Sequence, residues 1–246
     1  MPAAPSGRRR KLLVLGGIAA FVLALFVFFS PWLGFARHRF NFLPYYGPKE
    51  VVAVDRDGQV VIDTLYHTVP PFSFTDQYGL PFTDMDAAGK IIVADFFFTR
   101  CGTICPKMSV QMQQLQLKLD DPAFDEVLFL SHTVDPENDT PEVLHDYARK
   151  LQADSARWRV LTGATADLYL QGSEGYHVAA REEVMQPGGF LHSELFVLVD
   201  KDRHIRGYYD GTTMKGMNDC ANDIKMLLKE EKVKRAEAER ARRSQQ

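Results

Sequence analysis

Cysteine is scarce in this sequence of 246 residues, which contains only three. Three cysteines are too few for a disulfide-rich scaffold and too few for a zinc site made of four thiolates. The sequence also lacks internal repeats and a glycine-rich phosphate-binding motif. These absences exclude a small disulfide-stapled domain, a repeat architecture and a nucleotide-binding loop of the usual kind.

Basic residues are outnumbered by acidic residues in the body of the chain. Residues 1–11 carry four basic and no acidic residues, and residues 229–246 carry seven basic against four acidic residues. Because the net charge of the whole chain is −3, the part between has a net charge of −10. A body that acidic has no basic surface to offset the repulsion of phosphates, so nucleic acid is not an expected partner.

One long apolar run is present near the N-terminus, at residues 12–36, and it contains no charged residue. At about 1.5 Å per residue the run is roughly 37 Å long, more than the ~30 Å of a bilayer's hydrocarbon core. It lacks the short apolar region and the small-residue exit of a cleaved signal peptide. The pattern predicts a transmembrane anchor, with residues 1–11 as a cytoplasmic basic N-terminus and the rest of the chain outside the cytoplasm.

Beyond the anchor we expect a linker at 37–49, one domain at 50–228 and a charged C-terminal tail at 229–246. Strand and helix patterns alternate through the domain, beginning with a hairpin near 51–62 and ending with a hairpin and a helix. The expected central elements are strands at 91–98, 126–134 and 158–161, helices after 106, 141 and 164, the closing hairpin of 193–200 with 204–209, and a last helix over 214–231 with a frayed continuation. This is the thioredoxin-like order, and it predicts an α/β fold with a mixed central sheet and flanking helices.

The most informative stretch is a buried-strand pattern that runs directly into two cysteines and a proline. Cys101 and Cys105 follow the strand, and Pro106 suits the first position of a helix because its missing N–H needs no partner there. The helix start and the neighbouring Arg100 should both favour thiolate. Three residues separate the cysteines, where a thioredoxin-type exchanger has two, and this leaves room for a metal ion. The pair can therefore be a metal site, a redox dithiol or a structural disulfide.

A third metal ligand must come from elsewhere in the chain. His192 precedes the strand that we expect beside the dithiol strand, although a histidine there can also be structural. His132, near the end of another core strand, is a competing candidate. Two thiolates and one imidazole make a soft site of low coordination number that suits copper. Cys220 falls on the apolar face of the last helix and is expected to be a buried bystander.

Three motifs resemble the signatures of the Sco/SenC family, and the resemblance spans about residues 69–228. The motifs are Phe-Phe-Thr-Arg-Cys-Gly-Thr-Ile-Cys-Pro at 97–106, Val-Asp-Pro-Glu-Asn-Asp-Thr-Pro at 134–141, and His192-Ser193 followed by Leu198-Val199-Asp200. The resemblance implies a membrane-anchored, thioredoxin-like copper chaperone that helps to assemble the copper-A centre of cytochrome c oxidase. It also implies that Cys101, Cys105 and His192 bind the copper.

The resemblance further implies the partners and the location. The partners are the oxidase subunit that carries the copper-A site and a periplasmic copper donor or thiol reductant; the location is the bacterial inner membrane, with a single span and the domain in the periplasm. A thiol–disulfide reductase that uses Cys101 and Cys105 is the alternative, so enzymatic activity stays open. Asp135 is either a family-motif residue near the site or part of an Asp-Pro turn. Gly102 departs from the proline that many members have after the first cysteine, which leaves the rigidity and redox potential of the loop open.

Overall fold

The computed structural model describes residues 7–29, 42–56, 58–178 and 193–244. These residues fall into two units, one before residue 42 and one from Phe42 onward. In the first unit, Gly7–Phe29 forms helix α1. The predicted anchor at 12–36 continues past this helix into residues that are not described. Within the described ranges, none of the helices is both long enough and apolar enough to cross a membrane.

The second unit alternates strands and helices. Its strands are β1 Lys49–Arg56, β2 Gln59–Tyr66, β3 Ser73–Asp76, β4 Pro81–Thr83, β5 Ile91–Phe97, β6 Val127–Thr133, β7 Trp158–Thr162, β8 Leu195–Val199 and β9 Ile205–Asp210. Its helices are α2 Cys105–Lys118, α3 Pro141–Lys150, α4 Thr165–Leu170 and α5 Met214–Ser244. The predicted central strands and helices are therefore all present.

Seven of these strands form one sheet in the order β4-β3-β7-β6-β5-β8-β9. The three central strands β5, β6 and β7 are parallel, whereas β8 is antiparallel to β5 and pairs with β9. This confirms the predicted mixed sheet with its closing antiparallel hairpin. The first hairpin, β1 with β2, forms a separate two-stranded sheet.

The central strand β5 is buried at all seven positions. Parallel strands covered by helices on both faces need such a continuous apolar run, because neither face meets water. Ile91, Val93 and Phe97 belong to a core formed with α2, α3 and α5. Ile92 and Phe96, which point the other way, belong to a second core that includes residues of α4. The loop after Phe97 therefore leaves from the middle of the domain.

The last helix is longer than the sequence indicated, and the expectation of a frayed tail is wrong. Helix α5 continues beyond residue 231 to Ser244. The extension consists mostly of alanine, glutamate, lysine and arginine, which all have high helix propensity. Ion pairs add to this, with Lys234 3.8 Å from Asp202 and Arg243 3.9 Å from Glu239 one turn earlier. The prediction considered only the apolar stripe, which ends sooner.

Candidate functional site

Cys101 and Cys105 lie where β5 gives way to α2. The strand ends at Phe97, and the helix begins at Cys105 with Pro106 in its first turn. The backbone N–H of Cys105 donates to the Cys101 sulfur across 3.4 Å, and the N–H of Cys101 donates to the Phe98 carbonyl. The two cysteines are only 8% and 4% exposed. The structure therefore brings the two predicted residues together, as free thiols, in one loop.

The pKa values of the two thiols shift in opposite directions. Burial raises the pKa of Cys101, but hydrogen bonds from the Cys105 thiol and from backbone N–H groups of the loop outweigh it and lower that pKa to about 7. Burial, followed by the hydrogen bond to Cys101, raises the pKa of Cys105. Cys101 is therefore the thiol that ionises near neutral pH, while Cys105 keeps its proton.

The start of the dithiol loop is fixed by Asp139, a residue that the sequence analysis did not single out. The Asp139 carboxylate is buried and accepts hydrogen bonds from the Thr99 backbone N–H at 3.2 Å and from the Thr99 hydroxyl. It also accepts from the Thr133 hydroxyl, at 2.5 Å, where β6 ends. Asp139 thus ties the loop to the neighbouring strand. Its position inside the motif at 134–141 was the available signal.

Asp135 serves both of the roles that the sequence left open. Its backbone N–H donates to the Thr133 hydroxyl, and its carboxylate accepts from the Asn138 side chain at 2.8 Å within the same turn. The same carboxylate accepts from the Arg100 guanidinium at 2.7 Å, immediately before Cys101. Arg100 was expected to favour the thiolate, but its charge is paired with Asp135 and is not among the causes of the lowered Cys101 pKa.

Asp95 is a second acidic residue that the sequence analysis passed over, although an aspartate inside an apolar strand was a visible signal. It lies opposite Ser131 in the β5–β6 register, and Ser131 accepts a hydrogen bond from the Trp158 indole at 3.0 Å. Burial raises the pKa of Asp95 to about 7, against a lowering hydrogen bond from Ser131. Asp95 alternates along β5 with Val93 and Phe97, so it points to the sheet face whose core includes both cysteines. A charge on Asp95 is also a minor cause of the raised pKa of Cys105.

His132, the competing ligand candidate, is not brought to the cysteines. It pairs in register with Phe96 and stacks on that ring at 5.0 Å between centroids, in the core on the opposite face of the sheet. Phe74 and Tyr176 contact the imidazole edge-on. Burial lowers the pKa of His132 to about 4, so the ring stays neutral. Cys220 is buried in the core of the dithiol face and agrees with its expected role as a bystander.

The third predicted ligand, His192, lies outside the described residues. Described chain resumes at Ser193, and β8 runs antiparallel to β5 with Val197 opposite Ala94. The first residues of β8 therefore lie toward the end of β5 from which the dithiol loop leaves. Across the described parts of the chain, no set of three or more histidine, cysteine or acidic residues could hold a metal ion. Two adjacent sulfurs fit a soft metal as two of its ligands, and the third stays a prediction.

A dithiol between a central strand and a helix, in a mixed sheet covered on both faces, defines a thioredoxin-like dithiol protein. The family model described as SCO1/SenC matches residues 62–229. This match covers more than half of the chain, and the chain belongs to the SCO1/SenC family.

Individual relatives agree with this assignment. The SCO1 protein homolog of Bacillus subtilis is 33% identical over 171 residues, which cover 68% of this chain and 86% of that protein. The solved structure of BsSco, described as a member of the Sco family of cytochrome c oxidase assembly proteins with a disulfide switch, has 31% identity and a TM-score of 0.57 over 66% of this chain and 94% of its own. ScoI of Bradyrhizobium japonicum, solved with copper bound, shares the fold at 24% identity and a TM-score of 0.53, over 65% and 99% of the two chains.

Proposed function

We propose that this chain binds copper and delivers it to the subunit of cytochrome c oxidase that carries the copper-A site. Cys101 and Cys105 would supply two ligands and His192 the third. The observation that carries the proposal is the pair of adjacent thiols, one of which has a pKa of about 7. Soft thiolate ligands in a site of low coordination number suit Cu(I) above other first-row metals.

Two further observations support this function. The described beginning of β8 lies toward the dithiol end of β5, which supports a third ligand from the sequence that comes just ahead of β8. In addition, the relatives include an assembly protein for cytochrome c oxidase and a protein of the same fold that was solved with copper bound. Copper acts here as cargo, so the site must both bind it and release it.

The loop between β5 and α2, which carries Cys101, controls how copper is held. Cys101 ionises near neutral pH, and the proton on Cys105 must leave before the second sulfur can bind a metal, because thiolate is the ligand form. Asp139 and the Asp135–Arg100 pair hold the loop that carries Cys101 in place. We therefore expect copper binding to release protons and to strengthen as pH rises.

A copper titration of the reduced full-length chain tests the ligand set. We expect one copper per chain, with a sulfur-to-copper charge-transfer band in the Cu(II) form that His192→Ala weakens or removes. His145→Ala, which changes an exposed histidine on α3, is the matched control and should leave the band unchanged. Unchanged affinity and spectrum in the His192 variant would show that the third ligand is wrong, and equal binding by the Cys101–Cys105 disulfide form would place the site elsewhere.

A second candidate function is a thiol–disulfide reductase that keeps the copper-ligand cysteines of the oxidase reduced. The observation that favours it is the asymmetry of the dithiol, in which one thiol is poised to attack and the other keeps its proton. The His192→Ala variant separates the two functions. Thiol exchange should survive the loss of the imidazole, whereas copper binding should not.

We also propose that residues 12–36 anchor the protein in a bacterial inner membrane, with residues 50–228 in the periplasm as a single domain. The uncharged run of 25 residues behind a basic N-terminus supports this location. Carbonate extraction of membranes tests the anchor, since an inserted helix resists extraction and a peripheral protein does not. Reporter fusions after Gln246 test the orientation.

A further inference from the structure

Two histidines meet at a place that the dithiol site does not include. His67 directly follows β2, and His177 comes two residues after the π-helical turn Gln171–Gly175. Their ring centroids are 4.2 Å apart, and the ring planes are inclined by 56°. Tyr176 and Val178, on either side of His177, belong to the core on the sheet face opposite the two cysteines. We call His67 and His177 the histidine pair.

Hydrogen bonds to backbone carbonyls fix the tautomer of both rings. His67 Nε2 donates to the Gly175 carbonyl at 2.8 Å, and His177 Nδ1 donates to the Ser173 carbonyl at 3.1 Å. Because a carbonyl oxygen accepts and does not donate, these two nitrogens carry the protons. His67 Nδ1 and His177 Nε2 therefore hold lone pairs. Histidines that bind metals are usually oriented in this way, with the other ring N–H on a carbonyl or carboxylate.

One of these two lone pairs is buried without a partner. Within the described chain, His177 Nε2 is shielded from solvent and makes no hydrogen bond. Buried polar atoms in proteins are nearly always paired, so an orphaned one calls for a ligand or another specific reason. Burial, followed by the closeness of His67, lowers the pKa of His177. The lowered pKa favours the neutral imidazole, which is the form that binds metal ions.

The backbone holds both rings in an uncommon arrangement. His177 has a φ of 52°, in the left-handed region that residues other than glycine rarely adopt. The π-helical turn before it is also a rare element, and such turns occur frequently at functional sites. The N–H of His67 donates to the Pro48 carbonyl at 3.0 Å, and a Cβ added at Gly47 would lie 2.8 Å from the His67 Cβ. Close packing and local strain therefore set the positions of the two imidazoles.

The separation of the rings selects the kind of metal ion. With metal–nitrogen bonds of about 2.0 Å, imidazoles at adjacent corners of a square have centroids about 4.5 Å apart. A tetrahedral ion needs about 5.1 Å between them, and a linear two-coordinate ion needs about 6.3 Å. The observed 4.2 Å is closest to the square arrangement, which is typical of Cu(II) with nitrogen and oxygen ligands. Cu(II) also binds such ligands more tightly than the other divalent first-row ions do.

We propose that the histidine pair is a second copper site, at which His67 Nδ1 and His177 Nε2 bind Cu(II) and water fills the remaining positions. Across the described residues, no third histidine, cysteine or acidic residue joins them. The net charge of −10 on residues 12–228 attracts cations. Because the pair offers no thiolate, it should fill only after the dithiol site. The proposal does not depend on the function proposed for the dithiol.

A Cu(II) titration of a full-length chain that lacks the first site tests the proposal. Cys101→Ser, Cys105→Ser and His192→Ala together remove the ligands proposed for that site. We expect this chain to bind one Cu(II), with two coupled imidazoles in pulsed electron paramagnetic resonance. Adding His177→Asn, whose asparagine tolerates the left-handed backbone, should leave one imidazole and weaken binding at least about 10-fold. Adding His145→Asn, an exposed change on α3, is the matched control and should alter neither result.

His67→Gln gives a second variant, because it removes the other ring from a different segment of the chain. It should reproduce the effect of the His177 variant. Two coupled imidazoles that persist in both variants would place the Cu(II) elsewhere and overturn the proposal. Failure to bind Cu(II), or tighter binding of Zn(II) than of Cu(II), would overturn it as well. None of these outcomes bears on the dithiol site, since the tested chain lacks the ligands of that site.

Discussion

The two faces of the central sheet bury polar groups in different ways. On the dithiol face the Trp158 indole bonds to Ser131, which lies beside Asp95 in the sheet, although one Asp95 oxygen has no partner within the described chain. On the opposite face His132 is surrounded by aromatic rings, and within the described chain neither of its ring nitrogens has a hydrogen-bond partner. Burial of an ionisable residue is common to both faces. On the face that carries the site, the buried ionisable residue lies beside other polar groups, whereas on the opposite face it lies among aromatic rings.

The two faces also predict opposite responses to pH. Asp95 has a raised pKa, so its neutral form is favoured in the folded protein and stability is lost as pH rises through about 7. His132 has a lowered pKa, so its neutral form is also favoured, but stability is lost as pH falls from about 6.5 toward 4. Each face can therefore be perturbed separately.

The largest expected effect is on copper binding by the dithiol face. Cys101→Ser should weaken copper affinity by at least about 1000-fold, because it removes a ligand and even changes around a ligand cost roughly 10–100-fold. A competition titration with a copper chelator measures the change. Cys220→Ala alters the third cysteine in the same core and His132→Leu alters the other face, so both should leave the affinity unchanged. A comparable loss in either control would contradict the assigned site.

Asp95→Asn should remove a pH dependence of stability. The Asp95 carboxyl should contribute a loss of up to about 1.4 kcal/mol per pH unit as pH rises from roughly 4 to 7, because the unfolded chain releases a proton that the folded chain retains. This contribution opposes the one that His132 makes below about pH 6.5, so it is measured as the difference in slope between the wild-type protein and the variant. Urea denaturation at pH 4.5, 6.0 and 7.5 measures this slope. Asp146→Asn, an exposed change on α3, should keep the wild-type slope. A slope in the Asp95 variant equal to the wild-type slope would mean that another group retains the proton.

Asp139→Ala should destabilise the protein by about 3 kcal/mol, because hydroxyl and N–H donors of Thr99 and Thr133 lose a buried charged acceptor. It should also speed alkylation of Cys101, since the loop is released from β6. Denaturation and iodoacetamide labelling measure the two effects. Asp121→Ala removes an exposed capping carboxylate and should cost only about 1 kcal/mol, without a change in labelling. Unchanged labelling of the Asp139 variant would show that the tie does not govern the loop.

His132→Leu tests the opposite face and has the smallest expected effect. Between pH 8 and pH 5 the wild-type protein should lose about 2 kcal/mol through His132, because the unfolded imidazole binds a proton that the buried ring does not. The variant should lack this loss and should be more stable at pH 5. Parallel denaturation curves at the two pH values measure it, with His145→Leu as the exposed control. A loss of equal size in the variant would place the pH dependence elsewhere.

The order of the fold was predictable from local pattern. The apolar run at 91–98 predicted the central strand because continuous burial needs a continuous apolar sequence, and Pro106 marked the start of α2. The helical part of α5 beyond residue 231 was not predicted, since it depends on helix propensity and ion pairs and not on an apolar face. The separation of the first hairpin from the main sheet was not visible either, because strand pairing across the chain leaves no local mark.

The residues of the site that lie close together in the sequence were predictable. Cys101 and Cys105 share one turn, so their spacing and the helix start reveal them. Asp139 contacts the dithiol loop from the segment that follows β6, and Asp95 belongs to the site through the face of β5 on which it lies. The sequence shows neither relation directly. His132 was the weaker of the two histidine candidates in the sequence, and the sheet geometry places it away from the two cysteines.

The burial of the two cysteines sets a condition on any molecule that exchanges a ligand or a thiol with them. The loop cannot swing outward while Asp139 holds Thr99, so the sulfurs do not travel to a recipient. A recipient must instead bring its own ligand or thiol to two cysteines that are only 8% and 4% exposed. A broad rigid surface cannot do this, whereas a protruding, mobile segment can. For the proposed delivery, the shape and the mobility of the recipient segment therefore matter as much as its chemistry.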